Sequence, residues 1–584
     1  MRVLGISFSN DAAAALISDG VPLAAVAEER FARIKHYDGF PAESIRFCLR
    51  HAGISLADVD HVAFFWNPAV HLEPRLSRRQ TIRHHAEYLY ALPNQLFQLY
   101  PRRPTADITE QVLHFRDGTR PLRIAYVEHH LAHAAYFFVS PFDRAAIVTV
   151  DGYGERPAAL IALGEGSRIT PLERIEFPHS LGSLYAAVTQ YLGFKANSGE
   201  GKVMGLAAYG RPDAKVAREL RELVRLLPEG RFELDLSYFS YYLERPMRVS
   251  PKFIERFGPP REPEGPLDER HQDIAAGLQA LFEEIYRHLI AEAKRRTGAQ
   301  DIVLAGGAAL NCVANGVVPF REGFQRIYVP PAAGDDGASL GAALYLYHHH
   351  LGHPRRGVVH DHAYLGPDTD PAEVAAALSQ AGCQHVHVGD RAPELAAQLL
   401  AKGFFIGWYQ GRAEFGPRAL GSRSILADPR PAWVKDALNA RVKFREPFRP
   451  FAPSVLEERA SECFEGEGPS PFMLVVRRTR AEKLESLRAV THVDGGARVQ
   501  TVSRTTNPRY YDLIATFERL TGVPVVLNTS FNIRGEPIVN SPKDALRCFF
   551  TTDLDVLFLG DELVCKPKEA CRQALHAVAP DFHA

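Results

Sequence analysis

Apolar residues at the start of the chain come in short runs, at 3–8, 12–18 and 22–27, divided by Ser9-Asn10-Asp11 and Asp19-Gly20. Runs of that length between turn formers predict strands, and their close spacing predicts a hairpin meander. The stretch 41–53 has helical spacing, and 59–66 reads as a strand. Positions 70–120 are helical only in patches and carry Arg75, Arg78, Arg79 and Arg83, which predicts an insertion with a solvated face. The β-branched run Ala146-Ile147-Val148-Thr149-Val150 then stops at Asp151-Gly152, and Ala158-Ala159-Leu160-Ile161 returns. The same order occurs at 3–8, Asp11 and Ala14-Ala15-Leu16-Ile17: strand, acidic turn, returning strand. Two such units predict a duplicated α/β domain that closes on a ligand between its halves.

Further on, 198–210 reads as a Gly-rich loop entering a short helix, and 270–297 as one long amphipathic helix. A buried strand at 301–305 runs into Gly306-Gly307-Ala308-Ala309-Leu310-Asn311, a turn whose backbone N–H groups could face a phosphate or nucleoside. Strand 326–329, the Pro330-Pro331 break and Gly334-Asp335-Asp336-Gly337 precede a helix over 338–347. The His, Gly and Pro of 348–360 predict a linker between domains at 1–350 and 361–584. Beyond it, 497–502 alternates like a strand, and 524–532 runs a buried strand into a polar loop. Tyr238, Tyr241, Tyr242 and Phe253 read as core aromatics near a pocket-shaping loop.

With 584 residues the chain exceeds one core and should fold as two or more domains. A net charge of −1 supplies no global field for nucleic acid or anionic membrane. No apolar run is long enough to span a bilayer, and Met1-Arg2-Val3-Leu4-Gly5-Ile6 reads as a strand, not a signal peptide. Seven cysteines, at 48, 312, 383, 463, 548, 565 and 571, include no Cys-x-x-Cys pair. Reduced thiols in a cytoplasmic protein are the expectation.

Chemistry enters at His129-His130-Leu131-Ala132-His133. His129 and His133 are four apart, which on a helix turns both imidazoles to one face. With the carboxylate of Asp151 they form a donor set preferred by iron(II) and accepted by zinc or manganese. The paired aspartates at 335 and 336 could complete it or simply cap a helix. A second concentration lies at 412–449, where nine Arg or Lys face four Asp or Glu in an otherwise neutral chain. Several of them, among them Arg418, Lys443 and Arg449, sit beside Gly and Pro in predicted loops. Guanidinium forks fixed in loops suit multidentate binding of phosphate or carboxylate.

Eight strings in order resemble the O-carbamoyltransferase family of nodulation-factor and antibiotic biosynthesis, the NodU/CmcH kind. They are Glu28-Glu29-Arg30-Phe31, His129-x-x-x-His133, Val150-Asp151-Gly152, Lys202-Val203-Met204-Gly205-Leu206, Gly306-Gly307-x-Ala-Leu-Asn311, Gly334-Asp335-Asp336-Gly337, Phe415-Gly416-Pro417-Arg418-Ala419-Leu420-Gly421 and Asn528-Thr529-Ser530-Phe531-Asn532. The resemblance implies an α/β protein: a duplicated actin-like N-terminal domain fused to a C-terminal α/β domain similar to threonylcarbamoyl-adenylate synthase (YrdC-like). It implies an ATP-dependent O-carbamoyltransferase. Carbamoyl phosphate and ATP, with Mg, would give carbamoyl adenylate in the C-terminal domain. The carbamoyl group would then pass to a hydroxyl of a small natural product at an Fe(II)-type metal (alternatively Mn or Zn) in the N-terminal domain. Carried over by motif, the metal ligands are His129, His133, Asp151 and Asp335, the last preferred over Asp336. Catalytic roles fall to Arg418, Lys443, Arg449 and Asp11. Substrate and nucleotide contacts fall to Arg498, Asn528, Asn532, Arg534, Lys202, Gly306, Gly307 and Asn311. The family's first turn usually reads His-Asp-Ala-Ser, whereas this chain has Asn10-Asp11-Ala12-Ala13, which leaves open what takes the acceptor's proton. Because an acyl adenylate hydrolyses readily, fused domains sharing a cavity are expected. Carbamoyl phosphate and the hydroxylated acceptor are the expected partners, with a homodimer allowed and no nucleic acid. The alternatives are an actin-like small-molecule kinase and a non-catalytic nucleotide-binding regulator.

Overall fold

The computed structural model describes residues 1–8, 11–68, 107–115, 120–243 and 246–566. Asn10, the Arg75, Arg78, Arg79 and Arg83 patch, and Cys571 lie outside them. The chain divides into two units, Met1–Glu28 with His36–His360, and Glu29–Lys35 with Asp361–Ala584.

The first unit is built on two sheets of like topology. β1 (Arg2–Ser7), β2 (Ala13–Ser18) and β3 (Val21–Ala27) form an antiparallel meander. β1 also runs parallel to β4 (His61–Phe64), and β4 parallel to β6 (Leu122–Val127), with β5 (Ile108–Leu113) antiparallel at the edge. The second sheet repeats this. β7 (Arg144–Val150), β8 (Pro157–Glu165) and β9 (Arg168–Glu176) form the meander. After the ribbon of β10 (Val224–Leu226) and β11 (Phe232–Leu234), β12 (Asp301–Ala305) and β13 (Arg326–Tyr328) extend it in parallel from β7. Two meander-plus-parallel sheets in one unit are the duplicated actin-like architecture, and the strand–acidic turn–strand echo in the sequence is its trace.

The reason for the close fit is side-chain size. β1 is buried on both faces, as parallel strands between helices are. Leu4 and Ile6 share a core with Cys48 of the Ala42–His51 helix. On the opposite face Gly5 admits the Asp335–Leu344 helix so closely that a Cβ would meet the Ser339 carbonyl oxygen at 1.9 Å. The 270–297 expectation appears as the Glu269–Thr297 helix. It is capped by Asp268, which accepts from the His271 N–H, and ends at Gly298 with φ +59°. Ile274, Leu278, Leu281, Ile285 and Leu289 are its buried stripe. No helix among the described residues is long and apolar enough to cross a membrane.

The second unit centres on an eight-stranded mixed sheet. Its strands are β14 (His385–His387), β15 (Ile406–Tyr409), β16 (Arg423–Ala427), β17 (Ala452–Leu456), β20 (Gln500–Val502), β21 (Val525–Ser530), β22 (Val556–Leu559) and β23 (Glu562–Cys565). Their order is β14-β23-β22-β15-β16-β21-β17-β20, and β18 (Val476–Arg478) pairs with β19 (Gly496–Arg498) as a separate ribbon. The single strand expected at 497–502 is therefore split between two sheets at Val499.

Glu29–Lys35, within the first domain by sequence order, packs in the second unit. The Arg30 guanidinium donates to the Gly416 carbonyl at 2.9 Å, and Arg33 donates to the carbonyls of Ile538 and Pro537 at 2.7 and 3.0 Å. Glu28 stays in the first unit. Its carboxylate accepts from the backbone N–H groups of Glu43 and Ser44 at 3.1 and 2.8 Å, capping a helix start that Pro41 does not cap.

Candidate metal centre and anion site

All the loops that matter in the first unit leave the carboxyl ends of its parallel strands. Asp11 follows β1, Phe65 and Trp66 follow β4, Glu128 and His129 follow β6, Asp151 follows β7, and Gly306-Gly307 follows β12. That edge is where open α/β sheets hold ligands.

The His129–Ala134 helix starts with Glu128 accepting from the N–H groups of His130 and Leu131 at 3.3 and 3.0 Å. Its helical spacing sets the Nε2 atoms of His129 and His133 3.2 Å apart. Asp151 Oδ2 lies 3.1 Å from His133 Nε2 and 3.6 Å from His129 Nε2. Asp335 Oδ1 lies 3.6 and 3.7 Å from the same two atoms. One atom from each of the four side chains falls within 4.8 Å of every other. The middle histidine is not part of this group: His130 bonds Thr149 Oγ1 at 2.7 Å and the Pro157 carbonyl at 3.0 Å. Asp336 turns away, its Oδ1 accepting from the Gly337 N–H at 2.9 Å.

The electrostatics of the quartet suit a cation. Burial opposes the charged form of Asp151, but hydrogen bonds from His129 and His133 outweigh it and hold the carboxyl well below its ordinary value. Burial, and then the charge on Asp151, raise Asp335. His133 is buried, which disfavours its charge, yet hydrogen bonds to both aspartates push it up to about 9. The Nδ1 atoms of both histidines are buried without a hydrogen-bond partner. Their rings are fixed by packing instead: Phe65 and Trp66 stand 5.4 and 5.5 Å from His129. Two neutral-capable imidazoles and two carboxylates converging on one point fit a divalent ion of the iron, manganese or zinc kind, with positions left for substrate.

Gly306 and Gly307, expected to face a phosphate, spend their N–H groups internally. Gly307 donates to Asp151 Oδ2 at 3.0 Å and Gly306 to the Ala333 carbonyl at 2.8 Å. Their role in the structure is to aim a carboxylate. Gly306 has φ +88°, and a Cβ there would meet the Val150 carbonyl oxygen at 2.3 Å. Gly306→Ala is therefore expected to cost about 2–4 kcal/mol, read as a lower urea midpoint.

Lys202–Gly205 lies inside the Glu200–Ala207 helix and not in a loop, since Lys, Val, Met and Leu outweigh the glycines in helix propensity. Lys202 stands over the Phe194 ring at 5.4 Å. Asn311 caps the Cys312–Arg321 helix through the Ala314 N–H and exchanges hydrogen bonds with Gln279. Asp11 has φ +55° and bonds His36.

In the second unit the basic string separates into two kinds. Arg412, Arg423 and Arg430 tie the chain together: Arg423, fully buried, donates to the carbonyls of Gln410 and Gly411 at 2.8 and 3.0 Å and lies over Tyr409. Glu414 collects the N–H groups of Leu420, Ser422 and Arg423, which shapes the loop that carries Arg418. The other kind is a cluster around the buried Lys443 ammonium, with Arg445 and Arg449 partly exposed. Lys443 Nζ donates to the carbonyls of Ser530 and Asn532 at 2.7 and 2.8 Å and to Asn532 Oδ1 at 2.5 Å. Burial first, then Arg445, hold its ammonium well below its ordinary value, with Arg449 and Lys35 adding to the repulsion. Arg445 is lowered by burial, Arg449 and Arg498, and Arg449 by burial, against Glu446, with Arg498 and Arg534 repelling it. Glu446 opposes Arg449, at 3.8 Å. Cations that repel one another this closely make a candidate site for a polyanion. Asn528 is buried, its amide donating to the Ala419 carbonyl, Ser454 and Gln500. Arg445 and Lys35 were not among the expected contacts. Arg445 could have been found from its place between Lys443 and Arg449, whereas Lys35 carries no local signal.

The chain thus joins a duplicated actin-like unit carrying a candidate metal centre to an α/β unit carrying a candidate anion site. The chain belongs to the carbamoyltransferase family. The descriptions "Carbamoyltransferase N-terminus" and "Carbamoyltransferase C-terminus" match residues 2–344 and 397–566. It is 43% identical over 605 residues to the uncharacterized protein sll1178 of Synechocystis sp., covering 98% of each chain. It is 41% identical to nodulation protein NolNO of Sinorhizobium fredii, over 97% of this chain and 81% of that protein. With nodulation protein U of Rhizobium tropici the identity is 30%, over 92% of this chain and 91% of the other. Among solved structures, HypF of T. kodakarensis aligns with a TM-score of 0.33 and 12% identity, over 61% of this chain and 48% of that one, too distant to carry an argument. The family makes the chain an enzyme of carbamoyl transfer and sets the kinase and regulator alternatives aside.

Proposed function

We propose that the second unit uses water to release inorganic phosphate from carbamoyl phosphate and joins the resulting carbamate to ATP, giving carbamoyl adenylate and pyrophosphate, and that the first unit passes the carbamoyl group to a hydroxyl of a small natural product. The observation that carries this reading is the cluster of the buried Lys443 with the partly exposed Arg445 and Arg449, whose members repel one another. A carbamate is a poor electrophile because its nitrogen donates into the carbonyl, and joining it to AMP supplies a leaving group. That step gathers several phosphate charges, which the cluster together with Arg418, Arg498 and Arg534 would hold. Asn532 and Ser530 keep Lys443 aimed. In the first unit His129, His133, Asp151 and Asp335 would hold the divalent ion, with iron(II) the first choice. When bound, such an ion acts as a Lewis acid and lowers the pKa of a coordinated hydroxyl.

The test is incubation with carbamoyl phosphate, Mg-ATP and Fe(II). AMP and pyrophosphate are expected; ADP as the sole nucleotide product would contradict the reading. Without ATP, pyrophosphate alone should already stabilise the chain, because it neutralises the cluster. At 100 times its dissociation constant the gain is about 2.7 kcal/mol, visible as a rise in the thermal midpoint that Arg449→Met removes.

A further inference from the structure

Asp11 was a candidate on its own. The structure gives it a partner that no motif announces. His36 Nδ1 lies 2.7 Å from Asp11 Oδ1, and His36 Nε2 lies 3.0 Å from Ser198 Oγ. All three residues belong to the first unit. A carboxylate accepts only, so the bond to Asp11 places the proton on Nδ1. In the neutral imidazole Nε2 then keeps its lone pair and accepts from the Ser198 hydroxyl. This is an imidazole oriented by an acid on one side and presenting a base to a hydroxyl on the other.

Its place in the fold ties it to the transfer site. Asp11 leaves β1 as Asp151 leaves β7, so the two occupy equivalent turns of the duplicated sheets. The β1 end is linked to the quartet by rings: Phe8 lies 6.0 Å from Phe65, and Phe65 lies 5.4 Å from His129. The helix that begins at Asp335 packs on β1 through Gly5. The His36 and Asp11 side chains keep 27% and 35% of their surface exposed, enough for a small molecule to reach them.

We propose that His36 is the general base of the transfer step, and that Asp11 and Ser198 mark the subsite of the acceptor hydroxyl. The proposal rests on the function proposed above. The acceptor O–H gives its proton to His36 Nε2 as its oxygen bonds to the carbamoyl carbon. The bond from that carbon to the phosphate oxygen breaks, and AMP leaves with the electron pair. Asp11 stabilises the imidazolium until the proton passes to solvent. The same three residues resemble a nucleophilic serine with its base, but a carbamoyl ester on Ser198 would keep the resonance that makes carbamates poor electrophiles. Direct transfer avoids that trap.

The experiment uses the full chain with carbamoyl phosphate, Mg-ATP, Fe(II) and methanol as the probe alcohol, reading pyrophosphate and methyl carbamate separately. His36→Gln should keep pyrophosphate release and lose about 10²–10⁴-fold in methyl carbamate formation. In His36→Gly, added imidazole should restore part of the transfer, which a merely structural histidine would not allow. Ser198→Ala should cost less than His36→Gln. The proposal is overturned if His36→Gln transfers at the wild-type rate. It is overturned equally if Ser198→Ala loses as much and a carbamoyl adduct is found on the Ser198 peptide of the wild type. Pyrophosphate without methyl carbamate from the wild type would overturn the transfer reading itself, and the proposal with it.

Discussion

His129→Ala is expected to abolish carbamoyl transfer while pyrophosphate release continues at the wild-type rate. His129 Nε2 is one of four converging donor atoms, 3.2 Å from its histidine partner and within 3.7 Å of both carboxylates. Without it, one imidazole must offset two carboxylates that already repel, as the raised Asp335 shows. Losing the partner of a ligand typically costs about 10–100-fold in metal affinity or activity, and losing the ligand itself should exceed that. Bound metal, measured per chain by atomic emission, should fall along with transfer. Folding should be little affected, because the backbone N–H of residue 129 keeps its bonds to Glu155 at 3.1 Å. Loss of both chemical steps together would contradict the assignment of adenylation to the second unit. Retention of transfer with normal metal content would remove His129 from the centre.

How much of this could be read from residues depended on whether the information was local. The β-branched run into Asp151-Gly152 announces both a strand and its exposed acid, and the His129–His133 spacing needs only one helical turn. The duplicated meander was visible because each repeat carries its own strand, turn and return. What stayed hidden depends on distant partners. His36 gains its meaning from Asp11, 25 residues away, and Ser198, 162 residues away. Gly306-Gly307 reads as a phosphate turn until Asp151 is seen to take the Gly307 N–H. Arg423 and Arg449 look alike in a basic string. Only the fold separates the one that binds carbonyls from the one that faces other cations.

That separation leads to opposite behaviour of two variants in the anion site. Both Lys443→Met and Arg449→Met should reduce pyrophosphate release by about 10²–10³-fold, the usual effect of removing one preorganised donor for developing charge. Their stabilities should differ. Lys443 donates to two carbonyls and the Asn532 amide oxygen at the end of β21. Methionine removes these charged hydrogen bonds, although the Ser530 carbonyl and Asn532 Oδ1 keep other donors, at about 1–3 kcal/mol. Arg449 pairs with Glu446 at 3.8 Å and is repelled by Arg498 and Arg534. Methionine there removes a partly exposed charge among like charges, so stability should hold or rise slightly. The Lys443 contribution also has a sign in pH. Its folded pKa is depressed below the unfolded value, so the unfolded chain binds the extra proton between the two, and stability should increase as pH rises through that window. In Lys443→Met that increase should shrink. Chemical unfolding of both variants beside their pyrophosphate rates decides the matter: if Arg449→Met unfolds more easily and still releases pyrophosphate, the cluster is a structural brace and adenylation must be sought elsewhere.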